Sequence, residues 1–496
     1  MTDTDLTGSS TVSASETNTR GLPPEVKLAR KVAKSLEADI LASNALVGDI
    51  YASEDDLRSQ FGVGRAVVRE AVRLLEHHGV ARMRRGPYGG LVIQAPDARA
   101  LTRAVVVYLE YVGTTVEDLL AARSVFEPYA AKMAADRISE TDAVGLRQAL
   151  EAENHFEGPL PARDAVHREL AAACDNKVIA LFIDVVVQLT ARYATVPPQP
   201  QGVDRDEIGD KAHLAHQRIV DAVIAGDPTA AESNSQRHLR SMRDWLLSTE
   251  QTPIAYRLHV AQPHAVSDGG PKEKLAELVA RQLMAEIAAS GVEPGQIYGS
   301  ENELVNRLQV SRAVFREAVR LMEHHAIARM RRGPYGGLVV GRPDPSASVD
   351  ALAVYLEYER VGIDQLREAR QLIELSAVDE LVRRRRDPDV VAALQHGRLD
   401  ADSDLEFDGG ALSQAFHIQL AELAGNPVLT LFLRIIVSVW GQRQRATVDP
   451  SRISADAHQA AANAHRKIAE SILCGDRPLA RRRLISHFGA LQDWLD

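Results

Sequence analysis

The sequence predicts a mainly α-helical chain with small β wings: two tandem copies of a winged helix-turn-helix, each followed by an all-α bundle. Three observations carry that reading. The first is a repeat. Residues 65–93 read RAVVREAVRLLEHHGVARMRRGPYGGLVI and residues 312–340 read RAVFREAVRLMEHHAIARMRRGPYGGLVV. The second is charge: each block holds six arginines against two glutamates. The third is pattern: long stretches of helical periodicity with little β-alternation follow each block.

The two blocks differ only at Val68/Phe315, Leu75/Met322, Gly79/Ala326, Val80/Ile327 and Ile93/Val340. Their offset of 247 residues is far too long for a solenoid unit and matches one or two domains. The likeness continues beyond them. Arg123 and Glu127 recur as Arg370 and Glu374, and His167, His216 and His238 line up with His417, His465 and His487. The chain is a tandem duplication, so both halves should share one fold.

Composition sets the limits. A length of 496 residues predicts three or four domains at about 150 residues each. Apolar content of 45% and charged content of 25% are those of ordinary globular proteins. No apolar run reaches the ~18 residues that would suggest a membrane span. The start, MTDTDLTGSSTVSASETNTR, lacks the basic and apolar segments of a signal peptide. The two cysteines, Cys174 and Cys474, sit at non-equivalent places, which argues against a disulfide framework. A cytoplasmic protein is expected. Net charge is −10, yet each basic block carries +4, leaving −18 on the remainder. Two basic modules on an acidic body suit DNA binding confined to one element, because phosphate contacts need local positive charge.

Each first module begins with a helix-start signal. Ser53 and Ser300 precede acids three residues on, Asp56 and Glu303, the pattern of a capping box. These helices should end near Phe61 and Leu308, and after a tight turn a second helix should start at Gly64 or Ser311. On it Arg65, Arg69 and Arg73 share one face, as do Arg312, Arg316 and Arg320. Such arginines can reach guanine edges or phosphates, although a solvated amphipathic helix would look the same. The next segment decides between them. Residues 80–93 read as two short strands around a Gly/Pro turn, a basic wing with Arg82, Arg84 and Arg85, repeated as Arg329, Arg331 and Arg332. The pairs His77-His78 and His324-His325 read as ordinary helix-end residues, since adjacent helical side chains diverge by about 100°.

Glu54 to Ile93 resembles the winged helix-turn-helix of GntR-superfamily bacterial regulators. The segment VSRAVFREA (310–318) follows the family pattern, and VGRAVVREA (63–71) follows it with Gly64 in place of the serine. The resemblance implies that Arg65, Arg69, Arg312 and Arg316 contact DNA, with Ser311, Arg73, Arg320 and the wing arginines beside them. It also shows a departure: an arginine common after the first acid of the preceding helix is here Asp55 or Asn302.

The second module reads as six or seven helices, among them 116–137, 164–173, 213–225 and 229–247. Three histidines stand in separate expected helices, 49 and 22 residues apart in the first half and 48 and 22 in the second. Imidazoles projecting from different helices into a bundle make a metal site. This module resembles the FCD ligand-binding domain of FadR-type regulators, through Arg123/Glu127, Arg370/Glu374 and the segments around the six histidines. The resemblance implies a divalent metal of the Zn, Ni or Mn class, held by His167, His216 and His238 and by His417, His465 and His487. The family's acid lies four residues before the first histidine, where this chain has Arg163 and Ser413; Asp164 is the substitute in the first half. A small carboxylate effector is implied, meeting the metal or, in the alternative, a hydrogen-bonded histidine cluster directly, with Arg123 and Arg370 as partners or as structural mates of Glu127 and Glu374 at i+4.

The expected organisation is a disordered tail 1–22, winged helix 23–95, effector domain 96–247, linker 248–271, winged helix 272–342 and effector domain 343–496. The expected function is ligand-responsive regulation at a double-stranded DNA operator, as a repressor by family habit and without enzymatic activity. One chain would act as an intramolecular pseudo-dimer, with a four-headed homodimer as the rival. Two other readings compete: a sensing module with decayed DNA heads, and a metal-dependent hydrolase, which lacks a recurring acid beside the histidines.

Overall fold

The structure is a computed structural model that describes residues 24–43, 45–86, 89–154, 164–194, 205–248, 275–324, 326–331, 333, 336–342, 344–395, 414–447 and 455–493. The expected tail, most of the expected linker, Arg163, Arg332 and Ser413 lie outside them.

Each half opens with three helices and three strands. In the first these are α1 (Pro24–Ala42), β1 (Ile50–Ala52), α2 (Glu54–Phe61), α3 (Arg65–His78), β2 (Ala81–Arg84) and β3 (Gly90–Ile93). In the second they are α11 (Leu275–Ser290), β4 (Ile297–Gly299), α12 (Glu301–Leu308), α13 (Arg312–His324), β5 (Ala328–Arg331) and β6 (Gly337–Val340). The wing strands pair antiparallel, Ala81 opposite Ile93 and Arg84 opposite Gly90. A third strand, not expected from sequence, joins each sheet, in the order β1-β3-β2 and β4-β6-β5. It was missed because three residues give too short a run for alternation to show. Both capping boxes form, with Ser53 and Ser300 side chains accepting from the Asp56 and Glu303 amides.

The repeat diverges where it is buried and matches where it is exposed. Val68/Phe315, Leu75/Met322, Val80/Ile327 and Ile93/Val340 are all core positions, and each module has repacked its own interior. The fifth difference is a turn: Gly79 sits at φ 73°, and Ala326 takes the same left-handed region at φ 53°, a conformation that costs a side-chain-bearing residue about 1 kcal/mol.

Seven described helices follow in each half. They are α4 (Ala98–Tyr111), α5 (Val116–Arg137), α6 (Glu140–Asn154), α7 (Ala165–Ala173), α8 (Lys177–Ala194), α9 (Arg205–Ile224) and α10 (Pro228–Ser248). Their counterparts are α14 (Ser346–Tyr358), α15 (Ile363–Arg383), α16 (Pro388–Gln395), α17 (Gln414–Ala424), α18 (Pro427–Thr447), α19 (Ala455–Cys474) and α20 (Arg477–Asp493).

The two bundles share one core. Phe182 on α8 and Phe432 on α18 stack with ring centres 4.0 Å apart and planes 2° from parallel, and Phe126 packs on both. Two asparagines lock the seam. Asn176 caps α8 through its Oδ1 and donates from Nδ2 to the Gln365 carbonyl (3.1 Å) and Glu368 (3.0 Å). Asn426 caps α18 in the same way and donates to the Asp118 carbonyl at 2.9 Å.

The winged helices dock crosswise. Val354 on α14 belongs to the core of the first winged helix, and Lys34 pairs with Asp350 at 3.5 Å. Tyr111 on α4 packs against the core of the second, and Arg281 faces Glu110 at 3.5 Å. Each DNA-binding module therefore rests on the first helix of the opposite bundle.

Phe182→Ala should cost about 3–5 kcal/mol by opening a cavity in this shared core. Because both bundles line it, denaturant unfolding followed by circular dichroism should show both losing structure at a lower common midpoint. Unfolding of the first bundle alone would contradict a shared core.

Candidate nucleic-acid interface and histidine centres

Helix α3 presents its arginines to solvent, Arg65, Arg69 and Arg73 keeping 57%, 62% and 73% of their side-chain surface. They are held in place. Glu54, the first residue of α2, accepts from Arg69 Nε at 3.1 Å and forms an ion pair with Arg65 at 3.2 Å, and Glu70 pairs with Arg73 at 2.8 Å. In the second half Glu301 pairs with Arg316 at 2.9 Å and Glu317 with Arg320 at 3.0 Å. Arg312 donates to Asn302 at 2.9 Å, and Ser311 Oγ accepts from the Val314 amide. The acid that departs from the family pattern is answered locally, because Asp55 pairs with Arg58 at 2.9 Å. The wing is tied to this helix. Glu76 accepts from the Met83 amide and Glu323 from the Met330 amide, both at 2.9 Å. Arg84, Arg85 and Arg331 are exposed on the wings. Gly89 is required there, since a Cβ would lie 2.4 Å from the Arg84 carbonyl oxygen. His78 is structural as expected: its Nδ1 meets Glu37 at 2.5 Å and ties α3 to α1.

The bundles bring the six histidines together as two buried triads, His167/His216/His238 and His417/His465/His487, with ligand atoms within 4.8 Å of one another. His216 and His238 face each other through Nε2 at 3.1 Å, as do His465 and His487, and His487 Nε2 lies 3.2 Å from His417 Nε2. Carboxylates fix several rings from behind. Glu127 meets His167 Nδ1 at 2.9 Å, Glu153 meets His216 Nδ1 at 2.8 Å and Glu374 meets His417 Nδ1 at 2.5 Å. A carboxylate on Nδ1 leaves the Nε2 lone pair aimed at the centre. Converging lone pairs with an acid behind the ring form the donor set of a divalent cation site.

Arg123 and Arg370 do pair at i+4 with Glu127 and Glu374, at 2.5 and 2.6 Å. Arg123 also donates to His167 Nε2 at 3.2 Å and lines a cavity of about 510 Å³. Asp164 lines the same cavity, but the converging set consists of the histidines without it, and it makes a 3.5 Å contact with Arg168. It stands at the N-cap of α7, three residues before His167. Sequence reasoning missed Glu153, which no motif marks, and the cavity residues Lys211, Asn234, Arg237 and Ser241.

Burial and charge set the protonation states. Burial penalises the Glu127 carboxylate, but Arg123 and His167 outweigh it and hold its pKa far below the usual range. Glu374 is brought down to about 2 against the same burial by His417 and Arg370. Burial, with the neighbouring histidine, holds His216 and His238 well below 6.5; burial first also pushes His417 down to about 4 and His487 to about 2. These rings are neutral at neutral pH, as metal ligation requires. Asp164 goes the other way, raised by burial to about 6.

Fold and site together define a DNA-binding regulator with paired sensor domains. The profile of the FCD domain matches residues 118–241 and again 365–490, and that of bacterial regulatory proteins of the gntR family matches residues 28–87. The chain belongs to the GntR family of bacterial regulators, in the branch that carries an FCD domain, and is internally duplicated. Among curated proteins it is 27% identical over 203 residues to the HTH-type transcriptional regulator LutR of Bacillus subtilis (strain 168), covering 40% of this chain and 92% of that protein. The HTH-type transcriptional repressor NanR of Citrobacter rodentium (strain ICC168) is 28% identical, covering 44% and 84%, and the Exu regulon transcriptional regulator of Escherichia coli (strain K12) 25%, covering 45% and 85%. Each relative thus has the extent of one half. Among solved structures, Streptococcus agalactiae GntR covers 44% of this chain and 99% of its own, at 22% identity and a TM-score of 0.34.

The depressed histidines predict acid sensitivity. The unfolded chain takes up protons at these four positions near pH 6.5, and the folded chain does not. Their contribution to stability is complete above pH 6.5 and lost as pH falls toward 4. Asp164 opposes this between pH 3.8 and about 6, one group against four. The thermal midpoint of the metal-free chain should fall steadily from pH 7 to pH 5; a flat midpoint over that range would mean the rings titrate normally.

Proposed function

We propose that this chain is a ligand-responsive repressor that reads one operator with two winged helices of a single polypeptide. The shared bundle core carries the reading. It fixes the bundles to each other, and each bundle's first helix carries the opposite winged helix. On this reading one chain supplies both heads of a pseudo-dimer, with the second at high effective concentration. Arg65, Arg69, Arg312 and Arg316 enter successive major grooves, with Arg73, Arg320, Arg84, Arg85, Arg331 and Arg332 toward phosphate. Phosphates and base edges would draw the arginines from Glu54 and Glu301. Repression is proposed by likeness to the repressor NanR.

The sensor function rests on the first cavity. Arg123, Lys211 and Arg237 give it positive charge, and Asn234 and Ser241 give it hydrogen-bonding groups, which suits a small hydroxylated carboxylate. His167, His216 and His238 would hold a divalent cation of the Zn, Ni or Mn class, which supplies Lewis-acid attraction for that carboxylate when bound. The second triad would hold a like ion. Catalysis is not proposed, because Glu127, Glu153 and Glu374 are committed to orienting histidines. A cytoplasmic, nucleoid-associated protein fits this role. On this reading the units are a tail 1–22, winged helix 23–95, effector domain 96–247, linker 248–271, winged helix 272–342 and effector domain 343–496.

Selection of genomic fragments at about 150 mM salt, followed by footprinting, should yield a site with two protected half-sites about one helical turn apart. Mass measurement should find one chain per site, and two chains would favour the four-headed homodimer. Arg65→Ala and Arg312→Ala should each weaken that site by about 1–3 kcal/mol and relax base preference at one half-site only. Equal relaxation at both half-sites would contradict one head per half-site.

A further inference from the structure

The two bundles repeat each other's histidines but not the surroundings, and the duplication allows them to be compared position by position. In the first half Thr190 lines the cavity; its counterpart is Trp440. Lys211, Arg237 and Ser241 line the first cavity, and their counterparts are Ala460, Ser486 and Ala490. Two cationic positions, Lys211 and Arg237, are thus neutral in the second half and an indole is gained; Arg218 and Asn234 are matched by Lys467 and Arg483, and Arg483 is turned aside to the Lys467 carbonyl and Ser471.

Aromatic rings close the second centre. Phe416, where the first half has Val166, stacks on His465 with centres 3.9 Å apart and planes 6° from parallel. Phe488, where the first half has Leu239, lies over His417 at 6.0 Å. The Arg370 guanidinium sits 5.3 Å from the Phe488 ring and 5.7 Å from Trp440, so aromatic side chains fill the space beside it. By contrast Arg123 lines an open cavity. Two buried atoms of the second centre, Arg370 Nη2 and Gln414 Oε1, have no partner among the described residues. A donor and an acceptor left open together suit a water molecule, which can bond to both.

We infer that the sensor domains are functionally unequal: each holds a divalent cation, but only the first takes an anionic ligand, one hydroxylated carboxylate per chain. The second bundle is a closed partner that completes the shared core. The inference rests on the ligand-sensing reading proposed above and goes beyond it in stoichiometry and place. It also gives the signal a direction. Thr190 and Ala191 of the cavity lie on α8, which packs on α4, and α4 carries the second winged helix.

The test uses the full chain loaded with Co²⁺, with citrate, tartrate and D-glucuronate as probes in equilibrium dialysis. Absorption should report two histidine-bound Co²⁺ per chain. The best probe should saturate at one per chain, bind at least tenfold more weakly to Lys211→Ala and Arg237→Ala, and be lost in Thr190→Trp with both Co²⁺ retained. Trp440→Thr should leave affinity within twofold. Two bound anions per chain overturn the inference, as does one anion that depends on Trp440 and ignores Lys211 and Arg237; either leaves ligand sensing standing. If none of the three anions is retained, both the inference and the carboxylate-sensing reading fail.

Discussion

Phe182 and Phe432 meet face to face at the centre of a core to which both halves contribute, and the other features depend on that contact. The bundles cannot separate without exposing these rings and their buried aliphatic neighbours, a large hydrophobic cost. Asn176 and Asn426 then fix the alignment. Each side chain caps the start of its own helix and bonds to the other half, so helix ends and interface are set by the same atoms. A covalent link adds a high local concentration of the second half.

On that base the winged helices are placed crosswise, so the two halves are interlocked rather than strung in series. The internal repeat shows what has been kept. The exposed arginines are the same in both copies, while buried positions such as Val68/Phe315 and Leu75/Met322 have drifted with their own neighbours. Packing tolerates compensated change within a core. A surface that must meet DNA has no neighbour of its own to compensate.

The histidine centres follow a different logic. Burial keeps His216, His238, His417 and His487 neutral, and Glu127, Glu153 and Glu374 orient His167, His216 and His417 from behind. These are costly groups to bury, and each carboxylate is matched by a cation or an imidazole N–H. With that framework present in both halves, the surrounding residues were free to differ. The first kept a cationic cavity, and the second filled its space with Phe416, Trp440 and Phe488.

The sequence by itself determined the duplication, the helix-turn-helix, the basic wing and the identity of the histidine triads. Those signals are local or repeated: capping residues, arginines at i and i+4, and spacings preserved between copies. Helix α5 has the bounds expected from the sequence, and in the structure Thr115 and Asp118 form a capping box at its start. The strands β1 and β4 were not, being three residues long and stabilised only by pairing with distant strands. Nor was Glu153 as the partner of His216, since 63 residues separate them. The contact of Asp164 with Arg168, the crosswise docking and the aromatic rings beside the second triad also needed the tertiary structure. Each depends on which surfaces meet across the fold, and spacing along a chain does not specify that.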